Sequence, residues 1–205
     1  MRPVGSIEWR LPPSNTNLDM LQHSIQHGQE APSLWVQQYA HLIPPGGDVL
    51  DLACGYGRHT KWLSSQGFKL TAVDKDPNAL KELTTYCQTL CHDLENNVWP
   101  FSNQSFDAIV VTHYLWRPLW PHILSSLKMG SVLIYETFSA GNETFGKPSR
   151  PDFLLQDGEL LSVCKDLHVV AYQNGFLDHP KRMIQRIVAI TPTPHQTIQS
   201  FSLSR

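Results

Sequence analysis

No window of this 205-residue sequence approaches the roughly 18 apolar residues that a membrane-spanning helix needs. Charge is scarce too. Asp, Glu, Lys and Arg make up 17% of the residues, the net charge is −2, and no run of Lys and Arg offers a grip on a phosphate backbone. The composition therefore argues against nucleic acid and membrane as partners. Cysteine occurs four times, at Cys54, Cys87, Cys91 and Cys164, without a C-x-x-C pair. Cys87, Cys91 and His92 lack a distant partner, so the thiols read as buried and reduced. His23 and His27, four apart, lack a third ligand and read as a polar helix face. No metal is expected. Met1–Glu8 begins no apolar stretch of signal-peptide length, so the expectation is a cytoplasmic protein.

What is present is enough for one medium domain, 41% hydrophobic and 10% aromatic. Residues 1–30 read as an N-terminal extension with a short helix at Leu18–His27, residues 31–192 as the domain, and 193–205 as a polar, frayed tail. The domain opens with a helix over Pro32–Leu42, capped by Ser33 and stopped at Pro44–Gly47. From Asp48 strand and helix signals alternate, the pattern of a mostly parallel sheet with helical crossovers. Strands are expected at Asp48–Leu52, Lys69–Asp74, Thr89–His92, Phe106–Thr112 and Gly130–Thr137. Helices are expected at Gly57–Gln66, Pro77–Tyr86, Pro118–Leu127 and Glu159–Lys165. Residues 138–157 read as a long loop, and His168–Leu177 and Met183–Thr191 as a terminal pair of adjacent strands.

The chemistry concentrates after the first strand. Gly55 and Gly57 remove side chains that would keep a ligand from the backbone, and the next helix offers unpaired N–H groups. Nineteen positions after Gly55, Asp74 ends the second strand, where its carboxylate can accept both hydroxyls of an adenosine ribose. Asp51 ends the first strand; an anion there disfavours a pyrophosphate and suits an ammonium beside a sulfonium. A third glycine is missing, its place taken by Thr60. Asp93 follows the third strand, with Leu94 able to pack on an adenine ring or, equally, to follow a plain solvated turn.

Asp51–Arg58, Asp74–Pro77, His92–Leu94 and Phe106–Val111, as an ordered set, resemble the class I S-adenosylmethionine-dependent methyltransferases. Tyr135–Phe138, Gly141–Glu143 and Gly146–Pro148 are similar to small bacterial methyltransferases of the tellurite-resistance type. The resemblance implies a Rossmann-like α/β fold: a seven-stranded sheet of order 3-2-1-4-5-7-6, strand 7 antiparallel, with helices on both faces. It also implies S-adenosylmethionine as cofactor. Asp51, Ala53, Gly55 and Gly57 would line its methionine part, Asp74 and Lys75 its ribose, Asp93 and Leu94 its adenine, and Thr112 its centre. Arg58 would pair with an acid or lie near the ligand carboxylate.

Methyl transfer is an in-line displacement that needs alignment and exclusion of water more than a dedicated base. Acceptor contacts are expected from the end of the fourth strand and from the long loop. The candidates are His113, Tyr114, Arg117, Glu136, Lys147 and Arg150, with His113 and Tyr114 also the catalytic candidates. The (Asn/Asp)-Pro-Pro-(Tyr/Phe) signature of exocyclic-amine methyltransferases is absent at Thr112–Arg117, which favours another small-molecule acceptor. Glu136 and the loop through Arg150 form the best candidate for a lid, and whether 138–157 closes is left to the structure. Two rival readings stand beside methyl transfer: a cofactor-binding regulatory protein without turnover, and an NAD(P)-dependent oxidoreductase. Asp51, Thr60 and the lack of any Tyr with Lys four residues later count against the second.

Overall fold

The apolar run Phe106–Thr112 can be buried only if both faces of its strand are covered, and that requirement organises the whole chain. In the computed structural model, which describes residues 30–96, 98–194 and 201, seven strands form one sheet of order β3-β2-β1-β4-β5-β7-β6. They are β1 Asp48–Leu52, β2 Lys69–Asp74, β3 Gln88–Cys91, β4 Phe106–Thr112, β5 Leu127–Phe138, β6 His168–Asp178 and β7 Lys181–Ile190. β1 to β5 run parallel, and β7 lies antiparallel between β5 and β6. This is the expected order and orientation. The helix read at Leu18–His27, with His23 and His27, lies outside the described residues.

Alternate residues of each central strand enter different cores. Leu50, Leu52, Ile109, Val111, Leu133 and Tyr135 pack on one face. Val49, Ala108, Val110, Val132 and Ile134 pack on the other, where Trp35 and Val36 join them. All of these side chains are 2% exposed or less.

The helices are shorter than the sequence suggests. α1 Leu34–Tyr39 is capped by Ser33, whose hydroxyl accepts the Trp35 N–H, and tightens into a 3-10 turn at Ala40–Leu42. α2 covers Arg58–Ser65 and α3 Pro77–Lys81, capped by Asp76 and followed by a 3-10 turn at Leu83–Thr85. α4 covers Trp120–Ser125, and α5 Glu159–Val163. β5 starts three residues earlier than expected because Lys128 is held there by Asp107 and Asp48, at 2.9 and 3.2 Å.

The stretch 138–157 is not an unstructured loop. It carries 3-10 turns at Asn142–Thr144 and Pro151–Phe153, and Ser139 bridges Leu155. Of the polar tail, Phe201 packs beside His168 with ring centroids 5.3 Å apart. Two of the four thiols, Cys54 and Cys164, are buried as expected, but Cys91 is exposed and Cys87 half-buried, because β3 is an edge strand. No helix among the described residues is long and apolar enough to cross a membrane.

β2 and β4 flank β1 on opposite sides, so the chain reverses its direction of sheet growth there. A crevice opens beyond the carboxyl ends of β1 and β4, the usual place for a ligand in an open parallel sheet.

Candidate functional site

β1 delivers its last residues into a tight turn at that crevice. Gly57 has φ +72°, and a Cβ on it would lie 2.4 Å from Leu83 Cδ2. Gly55 has φ +54°, but a Cβ there would meet nothing within 4 Å. One glycine is thus required by the protein interior and the other faces open space. Ala53 at φ +53° and His113 at φ +54° are the non-glycine residues held in the left-handed region among the described residues, and both line the crevice. Such strain costs about 1–3 kcal/mol per residue and collects at functional sites.

Two cavities adjoin at Ala53 and His113. One, of about 240 Å³, is walled by Asp74, Lys75, Asp93, Leu94 and Tyr114. The other, of about 220 Å³, is walled by Gly55, Gly57, Arg58, His59 and Thr112, with Glu30 at its edge. Asp74 is fixed by the backbone: its two oxygens accept the N–H groups of Gly55 and Asp76 at 2.8 and 2.9 Å. Each oxygen keeps a lone pair for a ligand. Asp93 is oriented in the same way by the Asn96 amide and the Glu95 N–H, which together hold its carboxyl below the usual range.

Asp51 stands elsewhere. It is 1% exposed, lines neither cavity, and accepts the Thr60 hydroxyl at 2.6 Å together with the Thr60 N–H. Its carboxylate therefore fastens the first turn of α2 from below, where the helix dipole favours an anion. Thr60, which replaces the third glycine of a dinucleotide site, is its partner. Burial still dominates and pushes the Asp51 carboxyl up to about 6.

Reading the sequence alone missed His59, which is 2% exposed in the first turn of α2. Its Nε2 accepts the Ser33 N–H at 3.0 Å, so the neutral ring carries its proton on Nδ1 and donates it to Thr112 Oγ1 at 3.2 Å. The Thr112 hydroxyl proton is then left for the cavity. Burial, with Arg58 nearby, holds the His59 ring down to about 3. Its signal in the sequence was position only, one residue after the turn, facing the end of β4.

These shifts set opposite pH trends. His59 stays neutral in the fold but charges near 6.5 when unfolded, so its contribution is complete above 6.5 and falls away as pH drops towards 3. From pH 7 to pH 5 this loss is about 2 kcal/mol. Asp51 acts the other way: its contribution is complete below 3.8 and is lost as pH rises through 6. Urea titrations at pH 7 and 5 should show the wild type weaker at pH 5. His59→Gln should lose about 2 kcal/mol less over that interval.

Arg58 pairs with an acid, the first of its two expected roles. Its guanidinium pairs with Glu30 at 3.0 Å and lines the second cavity, and it also donates to His113 Nδ1 at 3.3 Å. His113 lines both cavities and Tyr114 the first. The other acceptor candidates stand apart from the cavities. Arg117 is committed to both oxygens of Glu159, at 2.6 and 2.9 Å, and to the carbonyls of Asp152 and Leu154. It clamps the segment that was read as a lid. Glu136 is fully buried, pairing with Arg186 at 3.0 Å and accepting the Ser33 hydroxyl. Arg150 pairs with Asp152 on the exposed surface, and Lys147 is exposed.

Comparison with known proteins agrees with this fold. The methyltransferase-domain family matches residues 49–129. An uncharacterized methyltransferase of Synechocystis is 35% identical over 94 residues, 43% of this chain and 42% of that protein. The chain thus spans about two fifths of the curated relative it matches. Among solved structures, TehB from Haemophilus influenzae superposes with TM-score 0.62 at 23% identity, over 76% of this chain and 61% of that one. A TehB-like S-adenosylmethionine-dependent methyltransferase from Corynebacterium glutamicum gives 0.58 at 21%, over 86% and 93%. The plantazolicin methyltransferase BpumL, solved with S-adenosylhomocysteine, gives 0.57 at 15%, over 77% and 81%.

Proposed function

We propose that this chain, which carries a methyltransferase domain on the class I fold, transfers a methyl group from S-adenosylmethionine to a small-molecule acceptor in the cytoplasm, with neither nucleic acid nor membrane as partner. The observation that carries the reading is the pair of cavities joined at Ala53 and His113. One end offers Asp74, Asp93 and Leu94, suited to a nucleoside. The other offers the open face of Gly55, the Arg58 guanidinium and the Thr112 hydroxyl, suited to an amino acid.

When bound, S-adenosylmethionine supplies a methyl carbon made electrophilic by its sulfonium. In this reading Asp74 accepts the ribose hydroxyls with Lys75 beside it, while Asp93 accepts from the adenine amine and Leu94 covers its ring. Arg58 faces the ligand carboxylate, and Thr112 donates near the centre. Asp51 contributes by holding α2, and with it the backbone N–H groups at Arg58 and His59. His113 and Tyr114 face the side from which an acceptor would approach.

Calorimetric titration with S-adenosylhomocysteine and with NADH, followed by transfer of a labelled methyl group to an acceptor panel, tests the proposal. Micromolar binding of the first ligand and turnover of some acceptor are expected. Tight NADH binding alone would favour the oxidoreductase, and binding without any turnover the regulatory reading.

A further inference from the structure

A third cavity, of about 280 Å³, adjoins the first at His113, Tyr114 and Glu95. Its remaining walls are mostly apolar: Leu115 follows β4, Phe138 ends β5, and Pro148 and Phe153 come from the folded-back segment 138–157. Arg117 fixes that segment through the carbonyls of Asp152 and Leu154, and the Asn142 amide donates to the Pro148 carbonyl at 3.0 Å. The apolar wall is built in, without a lid having to close. The His113 ring rests on Phe138, with centroids 4.9 Å apart.

Beside Glu95 and Thr137, two polar groups on this wall, His113 and Tyr114, can donate. Arg58 can only donate to His113 Nδ1, so the neutral ring carries its proton on Nε2. That Nε2 is buried without a hydrogen-bond partner, and so is the Tyr114 hydroxyl. Two unpaired buried donors in adjacent residues weaken the fold unless a ligand completes them. Burial, with Arg58 and Arg182 facing the ring, holds His113 down to about 3 and so resists a second proton. His113 therefore supplies no base where the third cavity meets the first two. Glu95, the acid on its wall, stands at the border with the first cavity.

Resting on the methyl-transfer reading, we propose that this third cavity is the acceptor site, and that it takes a small aryl or short alkyl molecule whose nucleophile arrives already ionised, as a thiolate or a carboxylate. The body of the molecule packs on Leu115, Phe138 and Phe153, and its anion accepts from His113 Nε2–H and the Tyr114 hydroxyl. In the transfer, a new bond forms from the thiolate sulfur or carboxylate oxygen to the methyl carbon. The sulfonium carbon–sulfur bond breaks, and its electron pair stays on sulfur. No proton moves, so a base is not needed; the products are a thioether or methyl ester and S-adenosylhomocysteine.

The test starts with the protein saturated with S-adenosylhomocysteine and uses calorimetry with four probes of like size: benzenethiol, phenylacetate, benzylamine and benzyl alcohol. At least one of the two anion-forming probes should bind more tightly than the amine and the alcohol, and the better of the two identifies the acceptor type. Phe153→Ala should weaken that binding by about tenfold, the effect of one lost apolar contact. Tyr114→Phe should weaken it by about fivefold or more and yet raise the unfolding temperature, because it removes an unpaired buried hydroxyl. A purely structural Tyr114 would leave probe binding unmoved. Preference for the amine or the alcohol, no binding of any probe, or anion binding indifferent to both substitutions would overturn the inference. Failure of S-adenosylhomocysteine itself to bind is read separately in the first titration and would remove the cofactor reading together with this one.

Discussion

Gly57→Ala is expected to cost about 2–5 kcal/mol of folding stability, whereas Gly55→Ala should fold and fail only at the ligand. Both residues have positive φ, so each alanine carries about 1–2 kcal/mol of backbone strain. The difference is in what the new methyl meets. At Gly57 it would lie 2.4 Å from Leu83 Cδ2 and 2.6 Å from Cδ1 of the same side chain. Leu83 is fully buried beneath the turn, so relief requires its side chain to repack or the 3-10 turn Leu83–Thr85 to move. Overpacking adds about 1–3 kcal/mol, a large share of a stability that is ordinarily about 5–15 kcal/mol. At Gly55 the methyl enters open space at the cavity wall. Urea denaturation should separate the two variants by at least about 1 kcal/mol, while S-adenosylhomocysteine titration should show weakened binding in both. Equal stability losses would mean that Leu83 yields without cost.

Asp74→Ala should lower S-adenosylhomocysteine affinity by about 100-fold or more, because hydrogen bonds to a charged acceptor contribute about 1.5–3 kcal/mol each and two are expected. The same change strips the Gly55 and Asp76 N–H groups of their acceptors. Asp74→Asn distinguishes these effects. It keeps the size but must turn its amide nitrogen towards one of the two N–H donors or towards the ribose, so it should also lose affinity while melting near the wild type. An Asp74→Ala protein that binds S-adenosylhomocysteine as tightly as the wild type would sink the assignment of the first cavity to the nucleoside.

The sheet was legible because its signals are local. β4 runs from Phe106 to Thr112 as its apolar run indicates, and Asp48–Leu52 and Lys69–Asp74 likewise match β1 and β2. Pro77 and Ser33 mark helix starts through chemistry confined to a few residues. The meeting of Asp74 and Gly55 was legible for a related reason: strand–helix–strand spacing alone brings them together. Charge proved a poorer guide. Asp51, Arg117 and Glu136 looked like ligand contacts because each is a charged residue at or shortly after a strand end. Their partners Thr60, Glu159 and Arg186 satisfy them from within the protein. Phe138 and Phe153 carried no signal as a pair, since they meet only after Ser139 and Leu155 pair.

The anchoring of Ser33 has a bearing on biosynthesis. Its backbone is held by His59, its hydroxyl by Glu136, and neighbouring Trp35 lies 4.5 Å under the Arg186 guanidinium and donates to the Ile187 carbonyl. On a ribosome the glycine turn and β2 emerge early. The two anchors of Ser33 come from residues 59 and 136, whereas the partners of Trp35 wait for β7. A nascent chain halted before Lys181 would hold Ser33 but leave Trp35 without its partners, which makes synthesis of β7 the step that locks α1 against the sheet.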